Sequence, residues 1–348
     1  MDTRRFKVAT FGEIMMRLSP PNHLRLTQTD RLDMTFGGGE SNVAVSLRQF
    51  GVASDFITRL PDNDLGHACL QYLRRFGVGT EHVVRGGERL GIYFLEHGAA
   101  QRGSKVIYDR TSSAFAEIQP GMIDWRTVLA DASWFHWTGI TPATAPGPAR
   151  VCLEGVQEAK AMGLMVSCDL NYRSKLWNWG RPAEDVMAEL VALCDLAVAN
   201  EEDADKVFGI RAPDTDVTRG KVEAEKYYSV CEQLALRFPA LHTIAITLRG
   251  SISASHNSWS GLLWSRGKIY RGAEYDISPI VDRVGAGDSF VAGLIYAWHT
   301  YAGDLQRAID FAVAASALKH TILGDSNLVS VPEVEQLMGG DRSGRVRR

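Results

Sequence analysis

No stretch of this 348-residue sequence approaches the ~20 uninterrupted apolar residues that a membrane helix requires. Nor does an apolar core follow the charged Asp2, Arg4, Arg5 and Lys7, so the start does not read as a signal peptide and a cytoplasmic protein is expected. Cysteine is sparse. Cys69, Cys152, Cys168, Cys194 and Cys231 are scattered, odd in number and form no Cys-x-x-Cys, which argues against a disulfide framework or a zinc site. Charge of one sign is lacking too: a formal net charge of -3, with 23% charged residues of mixed sign, offers no long-range field to nucleic acid or an anionic membrane surface. Any anionic ligand must therefore be gripped locally. The phosphate loop Gly-x-x-x-x-Gly-Lys-[Ser/Thr], the dinucleotide spacing Gly-x-Gly-x-x-Gly and the protein-kinase signatures are all missing. So are internal repeats and low-complexity linkers.

What is present centres on Asp282-Arg283-Val284-Gly285-Ala286-Gly287-Asp288. Ahead of it, Tyr275 to Val281 alternates loosely and reads as a strand. Behind it, Phe290, Leu294 and Trp298, with Val291 and Ile295 beside them, predict a strongly amphipathic helix. Gly285 and Gly287 have no Cβ, so anionic oxygens can approach the main chain. The first-turn N–H groups are unpaired and the helix dipole adds positive character there, which suits charge on a transferring phosphoryl group. Asp288 stands beside that turn, where a carboxylate can take a proton from an attacking hydroxyl. Taken alone, the same residues also serve as a plain tight turn with an acidic helix start.

The remainder alternates strands and helices. Val8 to Phe11 predicts a buried strand handing over to Gly12-Glu13, and Phe36-Gly37-Gly38-Gly39-Glu40-Ser41-Asn42 predicts a glycine turn opening a helix that closes at Gly51. Ser54 to Leu60 reads as a strand, followed by the turn Asp62 to Gly66 and a helix ending near Gly77. Ile92, Phe94, Val106 and Tyr108 suggest two strands across a Gly98 to Gly103 connection. With parts of 15–35, the segment 89–110 is expected to form a small β-lid that excludes water. Strands at Trp134–Thr138, Leu164–Leu170, Leu193–Ala199 and His242–Leu248, separated by helical segments, predict a parallel sheet whose C-terminal ends line one crevice. At those ends lie Thr138-Gly139-Ile140, Asp169 to Arg173, Asn200 to Asp203 and Thr247 to Gly250. A second helix is expected from Asp304 to Leu323, then a loop at Gly324 to Asn327, and a frayed tail at 339–348.

Two features bear on the ligand. Arg110, projecting from the expected lid with Tyr93 and Tyr108, and Arg173, ending a body strand, would converge on the crevice and suit a carboxylate-bearing substrate. Taken singly, surface arginines also pair locally and hairpin tyrosines also pack across the hairpin. Phosphate charge has to be met by the 285–287 amides, Arg249 and a magnesium ion held largely through water.

Asp-x-x-Gly-Ala-Gly-Asp at 282–288 and Gly-Gly-x-x-x-Asn ending at Asn42 resemble the two signatures of the ribokinase-like carbohydrate kinases. Tyr108-x-Arg110, Gly139-Ile140, Asp169 to Trp177 and Gly324-Asp325 resemble most closely the 2-keto-3-deoxygluconate kinases within that family, over about Val8 to Glu335. The resemblance implies a single three-layer α/β/α domain with a mainly parallel sheet and a small β-lid. It implies Asp288 as general base, with Gly285, Ala286 and Gly287 as anion hole. Gly38, Asn42, Tyr93, Tyr108, Arg110, Ile140, Arg173 and Asp325 are implied on the sugar acid, and Asn200, Thr247, Arg249, Gly250, Gly285 and Gly287 on ATP. Asn200 and Asp203 are implied to orient the water shell of Mg²⁺, although the family motif Asn-x-x-Glu ends here on Asp203. A monovalent cation and a homo-oligomer also belong to this expectation, whereas nucleic acid and membrane do not. The residues leave room for a fructokinase-like or ribokinase-like enzyme for neutral sugars, for a non-catalytic binding protein on the same fold, and for a dehydrogenase.

Overall fold

Short apolar segments become the strands of one nine-stranded sheet in the computed structural model, which describes residues 6–200, 202–211 and 226–341. The spatial order is Lys268–Arg271, His256–Ser265, Thr243–Ser253, Leu196–Asn200, Met165–Asp169, Trp134–Thr138, Lys7–Phe11 and Ala53–Ile57, with Tyr275–Ile277 pairing off this path onto His256–Ser265. From Thr243–Ser253 to Ala53–Ile57 every neighbouring pair is parallel. Parallel neighbours need crossover connections, and these put helices on both faces.

Successive strand residues point to opposite faces. Val8 and Trp134 therefore join Val43, Leu47, Phe290, Leu294 and Phe311 of the helices Gly39–Gln49, Ala286–Thr300 and Leu305–Lys319. Ala9 and Phe135 instead meet Val156, Leu190 and Leu234 of Pro146–Ala161, Ala183–Val191 and Tyr227–Arg237. This is the expected three-layer α/β/α body. Beside it lies a separate four-stranded sheet in the order Asp33–Gly37, Met15–Ser19, Ile92–Glu96, Lys105–Asp109.

Several expectations are corrected. The strand at Tyr275–Val281 stops at Ile277, because Pro279 has no N–H to continue a ladder. The strand begun at Thr243 does not turn at Gly250 but runs on to Ser253, paired along its length with His256–Ser265. That partner strand and Lys268–Arg271 went unread, since His256 to Ser258 looks polar. The second C-terminal helix spans Leu305–Lys319, capped by Asp304, whose side chain accepts from the Arg307 N–H at 3.0 Å. The Ala286–Thr300 helix is buried on nearly every side rather than strongly amphipathic, because two helices and the sheet enclose it. Of the expected tail, residues 342–348 lie outside the described residues, as does Glu201 of the Asn200–Asp203 cluster.

Gly293 makes that enclosure possible. A Cβ there would stand 3.0 Å from Ala312 Cα of the neighbouring helix. Gly293→Leu is expected to overpack this crossing and lower unfolding stability by about 1–3 kcal/mol, measured by urea denaturation. An unchanged midpoint would contradict the close crossing.

Candidate active site

The turn at 282–288 is built by fixed contacts on both sides. Gly285 has φ 82°, in the left-handed region, and a Cβ on it would lie 1.8 Å from the Asp325 carbonyl oxygen. Both its conformation and its neighbour therefore demand glycine. Gly287 has nothing within 4 Å of a built Cβ, so its main chain faces open space. Asp282 braces the turn from below, accepting from Val284 N at 3.0 Å, Gly324 N at 3.1 Å and Arg17 Nη2 at 2.7 Å. Gly285, Ala286 and Gly287 line a cavity of about 430 Å³.

Asp288 lines the same cavity from the first turn of the helix. Its Oδ2 accepts from Asn42 Nδ2 at 2.7 Å, which joins the two glycine motifs across the sheet's C-terminal edge. Burial pushes the Asp288 carboxyl up to about 6; Asp325 adds to the rise, while the Asn42 hydrogen bond and the charges of Arg173 and Lys319 oppose it. A carboxylate poised there is ionised at neutral pH yet basic enough to accept a proton.

On the acceptor side, Gly38 is the N-cap of the Gly39–Gln49 helix, and a Cβ on it would lie 2.0 Å from the Glu13 carbonyl oxygen. Tyr93, Tyr108, Ile140, Arg173 and Asp325 line the cavity with it. Tyr93 Oη donates to Asp325 Oδ2, and Arg17 Nη1 donates to Asp325 Oδ1. Arg110 departs from the expected convergence of two arginines. It is 7% exposed, does not line the cavity, and directs its guanidinium to the Glu13 carboxylate and, at 3.2 Å, to Thr144 Oγ1. A buried arginine needs a carboxylate, and Glu13 supplies it from the loop after Lys7–Phe11. Only Arg173 of the expected pair reaches the cavity.

Of the residues expected on the nucleotide, Asn200, Thr247 and Arg249 line the cavity, whereas Gly250 is held in the sheet opposite Ser258. Asp203 is committed to backbone: its oxygens accept from Tyr172 N at 3.0 Å and Asn200 N at 2.9 Å. Asn200 Oδ1 in turn accepts from Glu202 N at 2.8 Å and Asp203 N at 3.0 Å. Among the described residues no three His, Cys, Asp or Glu side chains gather to hold a metal. Magnesium fits these residues only as an ion carried by phosphate and water, which is how it is commonly bound beside nucleotides.

Sequence reasoning missed Arg17, Trp259, Lys319 and His320. Trp259 and His320 line the cavity with their rings edge to face, 5.2 Å apart. Arg17 had a signal, since a charge inside Met15-Met16-Arg17-Leu18 has to be buried or paired.

Known proteins resemble this chain over nearly its whole length. A 2-dehydro-3-deoxygalactonokinase of Haloferax volcanii is 33% identical over 97% of this chain and 98% of its own length. A 2-dehydro-3-deoxygluconokinase of Thermoproteus tenax is 28% identical over 95% of this chain and 94% of its own. The crystal structure of a 2-dehydro-3-deoxygluconokinase from Thermotoga maritima superposes with a TM-score of 0.91 at 46% identity, covering 96% of this chain and 100% of that one. Residues 5–228 and 260–331 match the pfkB family carbohydrate kinases, and to that family this chain belongs.

Proposed function

We propose that this carbohydrate kinase transfers the γ-phosphoryl group of ATP to the terminal C6 hydroxyl of a 2-keto-3-deoxy sugar acid, with 2-keto-3-deoxygluconate as the favoured acceptor. The observation that carries the reading is the meeting, in one cavity, of the Gly285–Gly287 amides, the Asp288 carboxylate and the Arg173 guanidinium. The first suits a transferring phosphoryl, the second an attacking hydroxyl, and the third a substrate carboxylate. Relatives named for 2-dehydro-3-deoxygluconate and 2-dehydro-3-deoxygalactonate support the acid class.

In this reading Asp288 accepts the proton of the C6 hydroxyl as that oxygen attacks the γ-phosphorus. The Gly285 and Gly287 amides meet the charge on the equatorial oxygens, and the Ala286 N–H joins them on leaving its 3.4 Å bond to the Arg283 carbonyl. Magnesium bound with the nucleotide would offset β- and γ-phosphate charge, and Asn200 and Asp203, both on the cavity wall, would hold its water shell. Thr247 and Arg249 hold the nucleotide side. Gly38, Asn42, Tyr93, Ile140 and Asp325 shape the acceptor side, and Tyr108 with Arg173 addresses the acid end. Met15, Tyr93, Val106 and Tyr108 of the small sheet border the cavity, which supports its acting as a lid that keeps water from competing as acceptor. A kinase for a neutral sugar is favoured by one observation, the engagement of Arg110 with Glu13, which leaves one arginine in the cavity instead of two.

Asp288→Asn is expected to fold normally and to lower turnover by roughly 10²–10⁴-fold; near-normal turnover in a coupled assay removes Asp288 as the base. Wild-type kcat/KM should fall as pH drops through about 6, because the base must be ionised to accept a proton. Asn42→Ala removes a hydrogen bond that favours the ionised form, so it should move this acid limb to higher pH; a limb that stays put contradicts the assignment. Arg173→Ala should weaken binding of the sugar acid by about 1.5–3 kcal/mol while sparing a neutral sugar. Equal losses across a panel of sugars, aldonic acids and 2-keto-3-deoxy acids would favour the neutral-sugar reading.

A further inference from the structure

Lys319, the last residue of the Leu305–Lys319 helix, has 0% of its surface exposed. A fully buried lysine is rare and has to be compensated. Its position in the last helical turn suits the helix dipole but does not explain the burial or the direction of its side chain. The ammonium donates to the Ile322 carbonyl at 3.1 Å and the Asp282 carbonyl at 3.4 Å. Those carbonyls belong to two different loops. One opens the turn at 282–288, and the other leads to Asp325, whose own carbonyl oxygen sits against Gly285.

The local charge balance favours a cation here. Three carboxylates, Asp282, Asp288 and Asp325, surround the amide turn that has to receive an anion. Arg17 is engaged by two of them, Asp282 at 2.7 Å and Asp325 at 2.5 Å. Lys319 is bonded instead to backbone oxygens; burial lowers its pKa, while the charges of Asp282, Asp325 and Asp288 act to keep it protonated.

We propose that Lys319 is a positioning residue for phosphoryl transfer: its ammonium is a fixed internal cation behind the Gly285–Gly287 turn, tying the 282 and 322 loops together and offsetting the carboxylates around the transferred group. The inference rests on the reading of Asp288 as base and the 285–287 amides as anion hole. It acts through the Asp282 and Ile322 carbonyls and touches no substrate. Asp288 is faced by Asn42 from the Gly39–Gln49 helix, Asp325 from the loop after Lys319, and Asp169 and Arg173 from the end of the Met165–Asp169 strand. Lys319 opposes the rise of the Asp288 pKa within that set.

The test compares two uncharged variants in the full-length enzyme. Lys319→Gln keeps a donor for the carbonyls, and Lys319→Met does not. Both are expected to lower kcat by about 10–100-fold, with acceptor KM changed less than about threefold. Both should shift the acid limb of kcat/KM upward. In Lys319→Ala, ammonium chloride should restore part of the lost kcat where sodium chloride at equal ionic strength does not. A folded Lys319→Gln with wild-type kcat and an unmoved acid limb overturns the proposal, even if Lys319→Met fails to fold, because the tether alone would then suffice. Asp288→Asn separates the two levels: if it retains turnover, the reading of the base fails, and if it loses turnover while Lys319→Gln does not, this inference alone fails.

Discussion

The site depends on one buried guanidinium. Arg17, 1% exposed, leaves the Met15–Ser19 strand of the small sheet and enters the main body between Asp282 and Asp325. Burial alone would lower its pKa, yet the two carboxylates hold it above the ordinary value, so the charge is kept. Losing one partner of such a buried pair typically costs about 3–5 kcal/mol, which makes the arrangement close to all-or-none. It fixes more than stability. Asp282 braces the anion turn through Val284 N, while Asp325 carries the Tyr93 hydroxyl and places its carbonyl oxygen against Gly285. The small sheet and the 282–288 turn are therefore linked through a single side chain.

The glycines express the same constraint. A Cβ on Gly37 would lie 2.2 Å from Asp325 Oδ2, one on Gly38 would lie 2.0 Å from the Glu13 carbonyl oxygen, and one on Gly285 would strike the Asp325 carbonyl. At Gly37 and Gly38 the approach of another segment demands glycine, and at Gly285 that approach and the positive φ do so together. Gly287, on the same cavity wall, is the exception, with open space in place of a Cβ.

What the sequence made legible is local. Strand ends at Thr138, Asp169 and Asn200 declare themselves through an apolar run that halts at polar residues. The helix starts at Gly39 and Ala286 do so through glycine and a carboxylate within one turn. What stayed hidden is paired at long range. Arg17 and Asp325 are 308 positions apart, and Arg110 and Glu13 are 97 apart, so no window of sequence contains both partners. Arg110 in particular reads as an arginine projecting from a hairpin, and only the fold brings Glu13 beneath it. The His256–Ser265 strand was missed for a related reason: its polar start lies opposite the end of Thr243–Ser253, and pairing rather than side-chain pattern makes both into strand.

A cavity meant for anions that is bordered by Asp169, Asp203, Asp288 and Asp325 looks self-defeating until the hydrogen bonds to each are followed. Asp203 is held by two backbone N–H groups, and Asp325 by Arg17 and Tyr93. Asp169 has its pKa raised well above the ordinary carboxylate value, by burial first and then by the neighbouring charges of Asp203 and Asp288. Asp288 is left between these extremes. One amide from Asn42 and the more distant charges of Arg173 and Lys319 keep it ionisable, while burial keeps it basic. On the proposed reading, that combination of burial and a side-chain amide, rather than proximity to the glycines alone, is what fits Asp288 to be the base.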